Sequence, residues 1–400
     1  MRLPSGDNSF RVSIMTSLLT TPPLGLYVHL PWCVRKCPYC DFNSHAAPEQ
    51  LPIEDYLAAL RADLDAELEG AMGRTIETVF IGGGTPSLFP PEAIGRVIEW
   101  LQPHLAPAAE ITLEANPGTL EQGRFAAFRS AGVNRLSIGV QSFDAHRLEV
   151  LGRIHGPDEA RRAIEAAHTA GFETFNVDLM FALPGQAQDD ALADIDEAVR
   201  LGAPHISHYQ LTIEPNTVFY ARPPALPDPD AAWAMQEACT GHLREQGLLR
   251  YEVSAWSRPG HACRHNLNYW QFGDYLAIGA GAHGKLTAPD TDSIRRYRKV
   301  KVPALYMPRA GLGSANAEEW TIPAAERPLE FLMNCLRLEQ GFTPALFEAR
   351  TGLAFADLEP MMAAATRDGL LTRRDGIIMP TTAGHNHLDT LLQRFLPEAE

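Results

Sequence analysis

The chain has 400 residues, 45% apolar and 21% charged, which excludes wholesale disorder and provides core for one large domain or two ordinary ones. Its 34 basic and 49 acidic side chains leave a net charge of −15, a poor balance for generic binding to nucleic acid or an anionic membrane. With 31 Gly and 31 Pro, coiled coils and simple bundles are excluded as well.

Residues 1–24 read as a disordered leader, with Met15 an alternative start. The apolar stretch there is short, broken by Ser and Thr, and followed by no small-residue cleavage site, so it is not a secretory signal. No run reaches the ~18 to 20 apolar residues of a transmembrane helix. The expected location is the cytoplasm, with no nucleic-acid partner, although Arg295, Arg296, Arg298, Lys299 and Lys301 form a local basic patch.

From residue 25 short apolar runs alternate with amphipathic helical patterns. Gly25–Leu30, Thr78–Ile81, Ile111–Glu114, Arg135–Val140, Thr174–Leu179 and Ile206–Leu211 predict buried parallel strands. Segments such as Glu54–Gly70 and Asp158–Gly171 space apolar residues three and four apart and end in Gly, as helices do. The alternation predicts an α/β fold with a partial (β/α)6 barrel over residues 25–250; a doubly wound open sheet is the competing fold.

After residue 211 the rhythm breaks. A Pro-rich loop (Ala221–Pro229), a helix (Ala231–Gln246), a strand-like run (Tyr251–Trp256) and a Gly-rich stretch (Ile278–Gly284) follow. Residues 251–324 read as an extension whose end, 303–324, is a mobile connection. Over 325–400 a helical block precedes Leu370–Arg373, a turn at Asp375-Gly376 and Ile377–Met379, which predicts a smaller winged-helix-like module. Its lack of a basic recognition helix points to covering the barrel or docking a protein rather than to DNA.

Of the six cysteines, Cys33, Cys37 and Cys40 are crowded together, while Cys239, Cys263 and Cys335 are scattered. The trio follows the first strand, so it lies on a loop at that strand's C-terminal end, where α/β barrels place their chemistry. Three thiolates spaced C-x-x-x-C-x-x-C are one short of the usual set for an iron–sulfur cube, leaving one iron open to a chelating substrate. The alternative is zinc with His45 as fourth ligand. Gly82-Gly83-Gly84-Thr85-Pro86 follows the second strand, where a glycine-rich turn lets backbone amides approach a charged ligand. Polar residues then end successive strands or open the next turn: Glu114 in LEANPG, Gln141 in SIGVQSFD, Arg153 in LGRIH and Asp178 in NVDLM.

In that order, these motifs resemble the radical S-adenosylmethionine (SAM) superfamily, whose hallmark is a three-cysteine loop after the first strand of a partial barrel. The resemblance implies a 4Fe–4S cluster on Cys33, Cys37 and Cys40, with SAM chelating the remaining iron. It assigns Gly83, Gly84 and Thr85 to the methionine amino group. Glu114, Gln141, Arg153 and Asp178 would hold the ribose, carboxylate and adenine side, with Tyr27 and Tyr39 beside the cofactors. It also implies reductive cleavage of SAM to methionine and a 5′-deoxyadenosyl radical.

Within the superfamily, the span from about 25 to 390 resembles the branch of HemN-like oxygen-independent coproporphyrinogen III oxidases and HemW-like haem chaperones. HemN-like sequences carry a further cysteine after the cluster, where this chain has Asp41-Phe42, and a longer N-terminal extension. The run PWCVRKCPYCDFNSH is similar to HemW-like sequences, and His265-Asn266-Leu267-Asn268-Tyr269-Trp270 resembles their H-N-x-x-Y-W haem motif. This implies haem on His265, flanked by Tyr269 and Trp270, with Arg258, Arg264 and Lys285 against its carboxylates; the plain alternative is a His-Asn turn with packed aromatics. The implied function is a haem chaperone serving acceptor haemoproteins, respiratory-chain proteins among them. It would dimerise on cluster assembly and reach membranes through its acceptors. The alternative is SAM-dependent decarboxylation of coproporphyrinogen III. Cys263 reads as structural, His29 as packed under the cluster, His205 and His208 as near the barrel mouth, and His385 and His387 as solvated.

Overall fold

The computed structural model describes residues 18–118 and 122–396. Strands β1 (Leu24–Leu30), β2 (Ile76–Gly83), β3 (Leu105–Ala115), β4 (Arg135–Gln141), β5 (Thr174–Phe181) and β6 (His205–Gln210) lie side by side in that order, all parallel. The helices between and after them are α1 (Ile53–Gly70), α2 (Pro91–Leu101), α3 (Phe125–Ser130), α4 (Pro157–Thr169), α5 (Gln188–Arg200) and α6 (Pro229–Glu245). Strand order without a reversal rejects the doubly wound alternative.

The strands are two-faced. Leu26 and Val28 of β1, Leu136 and Ile138 of β4 and Phe175 and Val177 of β5 share one buried core with the helices. The alternate positions Thr112, Glu114, Ser137, Asn176, Asp178 and Ser207 line a cavity on the other face. A barrel filled only for stability would carry Val, Ile and Leu there; polar residues at this period leave room for a ligand.

The sheet is larger than six strands. Beyond β6 come β7 (Leu249–Glu252) and β8 (Ala255–Ser257); beyond β1 come β9 (Asp274–Ile278), β10 (His283–Ala288), β11 (Ser293–Lys299) and β12 (Asn316–Thr321). The order is β12-β11-β10-β9-β1-β2-β3-β4-β5-β6-β8-β7, with no pairing between its two edges among the described residues, so the barrel is partial. The strand β9 runs parallel to β1 and the outer strands are antiparallel.

Two expectations need correction here. Residues 1–17 of the expected leader lie outside the described residues, but Leu19 is buried in the C-terminal core and Thr20 donates to the Ala349 carbonyl at 2.8 Å. Residues 303–324 are no mere connection: α7 (Arg264–Trp270) and the outer strands are followed by α8 (Pro303–Ala310), and β12 pairs along the sheet edge. Pro303 at the first helical position starts α8. Tyr306 is wholly buried and donates to Asp63 at 2.6 Å.

The basic run of β11 is neutralised. Arg295 pairs with Glu319, Arg296 with Glu330, Arg298 with Glu318, and the buried Lys299 with Asp63 and Glu67. The C-terminal module has its own core of Phe331, Leu336, Phe347, Leu358 and Ile378, joined by Ile294 from the sheet and Phe272 from the turn before β9. Its helices α9 (Arg327–Cys335), α10 (Pro344–Thr351) and α11 (Phe355–Arg367) precede the hairpin of β13 (Leu371–Arg374) and β14 (Ile377–Pro380). Asp375 (φ 50°) and Gly376 (φ 79°) make its two-residue turn, the left-handed pair such hairpins need.

Candidate functional site

The loop after β1 closes through a short pairing of Trp32–Cys33 with His45–Ala46. Cys33, Cys37 and Cys40 are free, partly exposed thiols lining one cavity of about 130 Å³. Burial pushes the Cys33 thiol up, against an opposing hydrogen bond with the Thr85 hydroxyl. Arg153 Nη1 donates to Cys37 Sγ at 3.6 Å, and Cys40 Sγ lies 3.7 Å from Ser44 Oγ. His45, the fourth ligand of the zinc alternative, does not line this cavity.

Tyr39, Gly83, Gly84, Thr85, Glu114, Gln141, Arg153 and Asp178 line the same cavity as the three cysteines. Tyr27 and His265 line an adjoining one. The glycine turn works differently from expectation. Its amides are engaged within the protein: Gly83 N–H donates to Glu114 Oε2 at 3.0 Å, Gly84 N–H to Leu30 O and Thr85 N–H to Trp32 O, both at 2.8 Å. A Cβ on Gly84 would sit 2.6 Å from the Trp32 carbonyl oxygen, so glycine is required for the turn to press against the cysteine loop. Arg153 is likewise committed, with Nη2 donating to Asn116 Oδ1 at 2.7 Å and Gly139 O at 2.6 Å. Gln141 holds φ at 70°, a region glutamine seldom occupies, and accepts from the Tyr209 hydroxyl at 2.7 Å.

The adjoining cavity, about 650 Å³, is walled by Tyr27, Phe80, Tyr269, Trp270 and Tyr275 around His265. His265, Asn266, Tyr269 and Trp270 lie on one face of α7, as i, i+1, i+4 and i+5 must. Glu110 fixes the helix start by accepting from His265 N–H at 3.1 Å and Cys263 Sγ at 3.6 Å. His265 Nδ1 lies 2.9 Å from Thr78 Oγ1, and burial lowers the imidazole to about 4, leaving it neutral at physiological pH. Glu114 and Phe42 line both cavities. The expected cations are elsewhere: Lys285 is buried against Asp274 at 3.0 Å, Arg264 donates to Ala108 O at 2.6 Å, and Arg258 is exposed and lines neither this cavity nor the cysteine cavity. Arg296 and Lys301 line the His265 cavity instead.

The profile described as Radical SAM superfamily matches residues 27–198, and that of the HemN C-terminal domain matches 322–385. The "Heme chaperone HemW" of Escherichia coli is 48% identical over 95% of this chain and all of its own length. The chain belongs to the HemW-like branch of the radical SAM superfamily. The Haemophilus influenzae "Heme chaperone HemW" is 46% identical over 94% of this chain and 99% of its own. A Bos taurus mitochondrial protein named for its radical SAM domain is 37% identical over 80% of this chain and 74% of its own. In fold the chain is similar to the E. coli coproporphyrinogen III oxidase HemN, with a TM-score of 0.79 at 22% identity, covering 98% of this chain and 93% of that one.

Some residues of this radical SAM site escape sequence reading. Asn116 bridges Thr85 and Arg153, and its position inside LEANPG was the available signal. Asn176 joins His205, Ser207 and Asp178 under the cavity at 2.7–3.0 Å, with nothing in the sequence linking them. His208 faces the other way, stacked 4.7 Å from Phe181. His29 is buried beneath the cysteine loop, bonded to Asn43 O at 2.9 Å. His385, expected to be solvated, is buried against Arg250 and Glu339.

This burial sets a pH dependence. His29, His155, His208 and His265 are lowered to about 4 and His205 well below its ordinary value, all chiefly by desolvation. Below pH ~6.5 the unfolded chain protonates these rings and the folded chain does not, so stability is lost as pH falls. Burial raises Glu114 to about 7 and Asp178 and Asp194 to about 6, which works in reverse: the folded chain keeps protons that the unfolded one releases. With His283 also held low, six rings against three carboxylates leave the unfolded chain binding more protons near pH 5. The guanidinium midpoint should therefore fall steadily from pH 7 to pH 5; a rising midpoint would show that the carboxylates dominate.

Proposed function

We propose that the chain is a haem chaperone that binds a 4Fe–4S cluster, SAM and haem and delivers haem to acceptor haemoproteins. The observation that carries this reading is the aromatic-walled His265 cavity adjoining the cysteine cavity, with Glu114 and Phe42 common to both. Cys33, Cys37 and Cys40 would hold the cluster. Glu114, Gln141, Arg153, Asp178, Thr85 and the turn at Gly83-Gly84 would surround SAM, with Tyr27 and Tyr39 alongside. A buried Glu114 gains from an incoming ammonium, which restores the charge that desolvation disfavours. When bound, the cluster and SAM supply one-electron chemistry. The chain's own contribution is to keep His265 neutral, offer it with Nδ1 fixed by Thr78, and enclose a flat apolar ligand between Tyr27, Phe80 and Tyr269.

The cytoplasm is the proposed location. Among the described residues no helix is long and apolar enough to cross a membrane, and contact with membranes would come through acceptors such as respiratory-chain proteins. Residues 25–250 would act as the SAM barrel, 251–324 as the haem-binding extension and 325–400 as the module that covers it. Cluster assembly would favour a homodimer.

Anaerobic haem titration of reconstituted protein, followed by absorbance, is expected to give a stoichiometric Soret shift. The same preparation with SAM and a reductant should leave coproporphyrinogen III unchanged. No shift, or conversion to protoporphyrinogen IX, would replace the chaperone reading with the oxidase one.

A further inference from the structure

The His265 cavity is lined by charges of both signs: His283 of β10, Arg296 of β11 and Lys301 after it, with Asp41 of the cysteine loop and Glu114 of β3. Arg296 is held in place by Glu330, with Nε donating at 2.9 Å, and its Nη1 reaches the Tyr275 hydroxyl at 3.3 Å. Lys301 is exposed, and among the described residues its ammonium has no ion pair or hydrogen bond, unlike Arg295, Arg296, Arg298 and Lys299 beside it. Partial desolvation and the charges of Arg298, Lys301 and Arg296 hold His283 below its ordinary value, as a positive local field would. In a chain of net charge −15, an uncommitted cation beside a mostly aromatic cavity calls for an anionic partner.

We infer that Lys301, backed by Arg296, forms the rim that binds the carboxylates of the tetrapyrrole held at His265, and so selects dicarboxylic porphyrins and sets their orientation. This rests on the haem reading above. The inner cavity, on the polar face of the inner strands, shares Phe80, Glu114 and Trp270 with this one and brings two further cations, Arg135 and Arg337. Arg337 is bound to Glu252 at 3.0 Å and lies over Trp270. Arg135 donates to Thr174 and to the His261 carbonyl, with Glu110 at 3.9 Å. Glu114, Asp178 and Glu252 line that same inner wall. A macrocycle entering carboxylates-first would meet acids; one entering with its carboxylates outward meets Lys301. The apolar edge would then face Phe80 and Trp270, and the carboxylates would stay near solvent, where an acceptor protein can reach them.

The test compares haem with haem dimethyl ester, whose carboxylates are masked, on wild type, Lys301→Gln and Lys301→Glu by anaerobic absorbance titration. Wild type should bind haem about tenfold more tightly than the ester, the size expected for one charged hydrogen bond. Lys301→Gln should cut that preference to about threefold, and Lys301→Glu should abolish it, with ester affinity unchanged in both. Metal-free protoporphyrin IX should follow haem, because the rim reads carboxylates and not iron. Arg258→Gln should keep the full preference. A preference untouched in Lys301→Glu, equal wild-type affinity for acid and ester, or equal loss of both ligands in the variants would each overturn the rim alone. Failure of wild type to take up either ligand would overturn the haem reading and the rim with it.

Discussion

Replacing any one of Cys33, Cys37 and Cys40 by Ser is expected to abolish cluster retention. After anaerobic reconstitution and desalting, the variant should be colourless, with iron and sulfide falling from about four per chain to background. The effect is all-or-none because three thiolates already leave one iron without a protein ligand, so there is no redundancy to lose. The remaining cysteines offer no substitute. Cys239 is buried in α6 and Cys335 in the C-terminal core, and Cys263 is bound to Glu110. The three ligands are partly exposed on a loop, so the denaturant midpoint of the apo-protein should scarcely move. Cys239→Ser serves as the control that keeps its colour. Gel filtration of the same samples tests the proposed dimer, because the Cys variants should elute at the apo position under reconstitution. His45→Ala should keep the cluster; its loss in that variant, with zinc recovered from wild type, would favour the metal alternative.

The barrel was legible because its evidence is local. Each of the six inner strands is a short apolar run followed by a helix with ordinary stop signals, and the three cysteines fall straight after the first run. What escaped notice was the second period within those runs. Thr112, Ser137, Asn176 and Ser207 sit at alternate positions and mark the face that must stay open. Residues 303–324 are less legible, because Pro303, Gly311 and Gly313 are compatible with a loop. In the fold Pro303 begins a helix anchored by Tyr306, and the glycines turn the chain into an edge strand.

Side-chain partners were less legible, because pairing between distant strands decides them. Lys285 lies close to the haem motif in sequence, but the β9–β10 pairing turns it onto Asp274 beneath Phe272. Arg296 and Lys301 lie farther along the chain and still line the cavity, because β9 inserts beside β1 and β10 and β11 fold back along it. Closeness in sequence therefore points to cations that do not line this cavity, and sheet order brings others to its wall. The glycine turn carries a similar lesson. Its conformation was expected from GGGTP, but its amides bond Glu114, Leu30 and Trp32, so the turn braces the cysteine loop.

His265→Ala is expected to weaken haem binding about a hundredfold at pH 7.5, read from the same Soret titration. The imidazole is neutral down to about pH 4, so affinity in wild type should stay flat from pH 8 to 6 and fall only as protonation competes for the ring. For Nε2 to present its lone pair, Nδ1 must carry the proton and donate it to Thr78 Oγ1, 2.9 Å away. Thr78→Val removes that partner and should cost about tenfold, which separates a ligand held by its second nitrogen from a ring that merely packs. Gly25 supplies a steric probe of the same pair. A methyl group there would sit 2.9 Å from Thr78 Oγ1 and 3.2 Å from His265 Cε1, so Gly25→Ala should displace the Thr78–His265 pair and weaken haem without removing the imidazole. Metal-free protoporphyrin IX should bind His265→Ala nearly as well as wild type, because it has no iron for the ring to hold. The preference for haem over its dimethyl ester should also survive in His265→Ala, since iron and carboxylates are read by different residues on different elements. Equal haem affinity in wild type and His265→Ala would remove His265 from the site and leave the cavity an aromatic pocket without a ligand to iron.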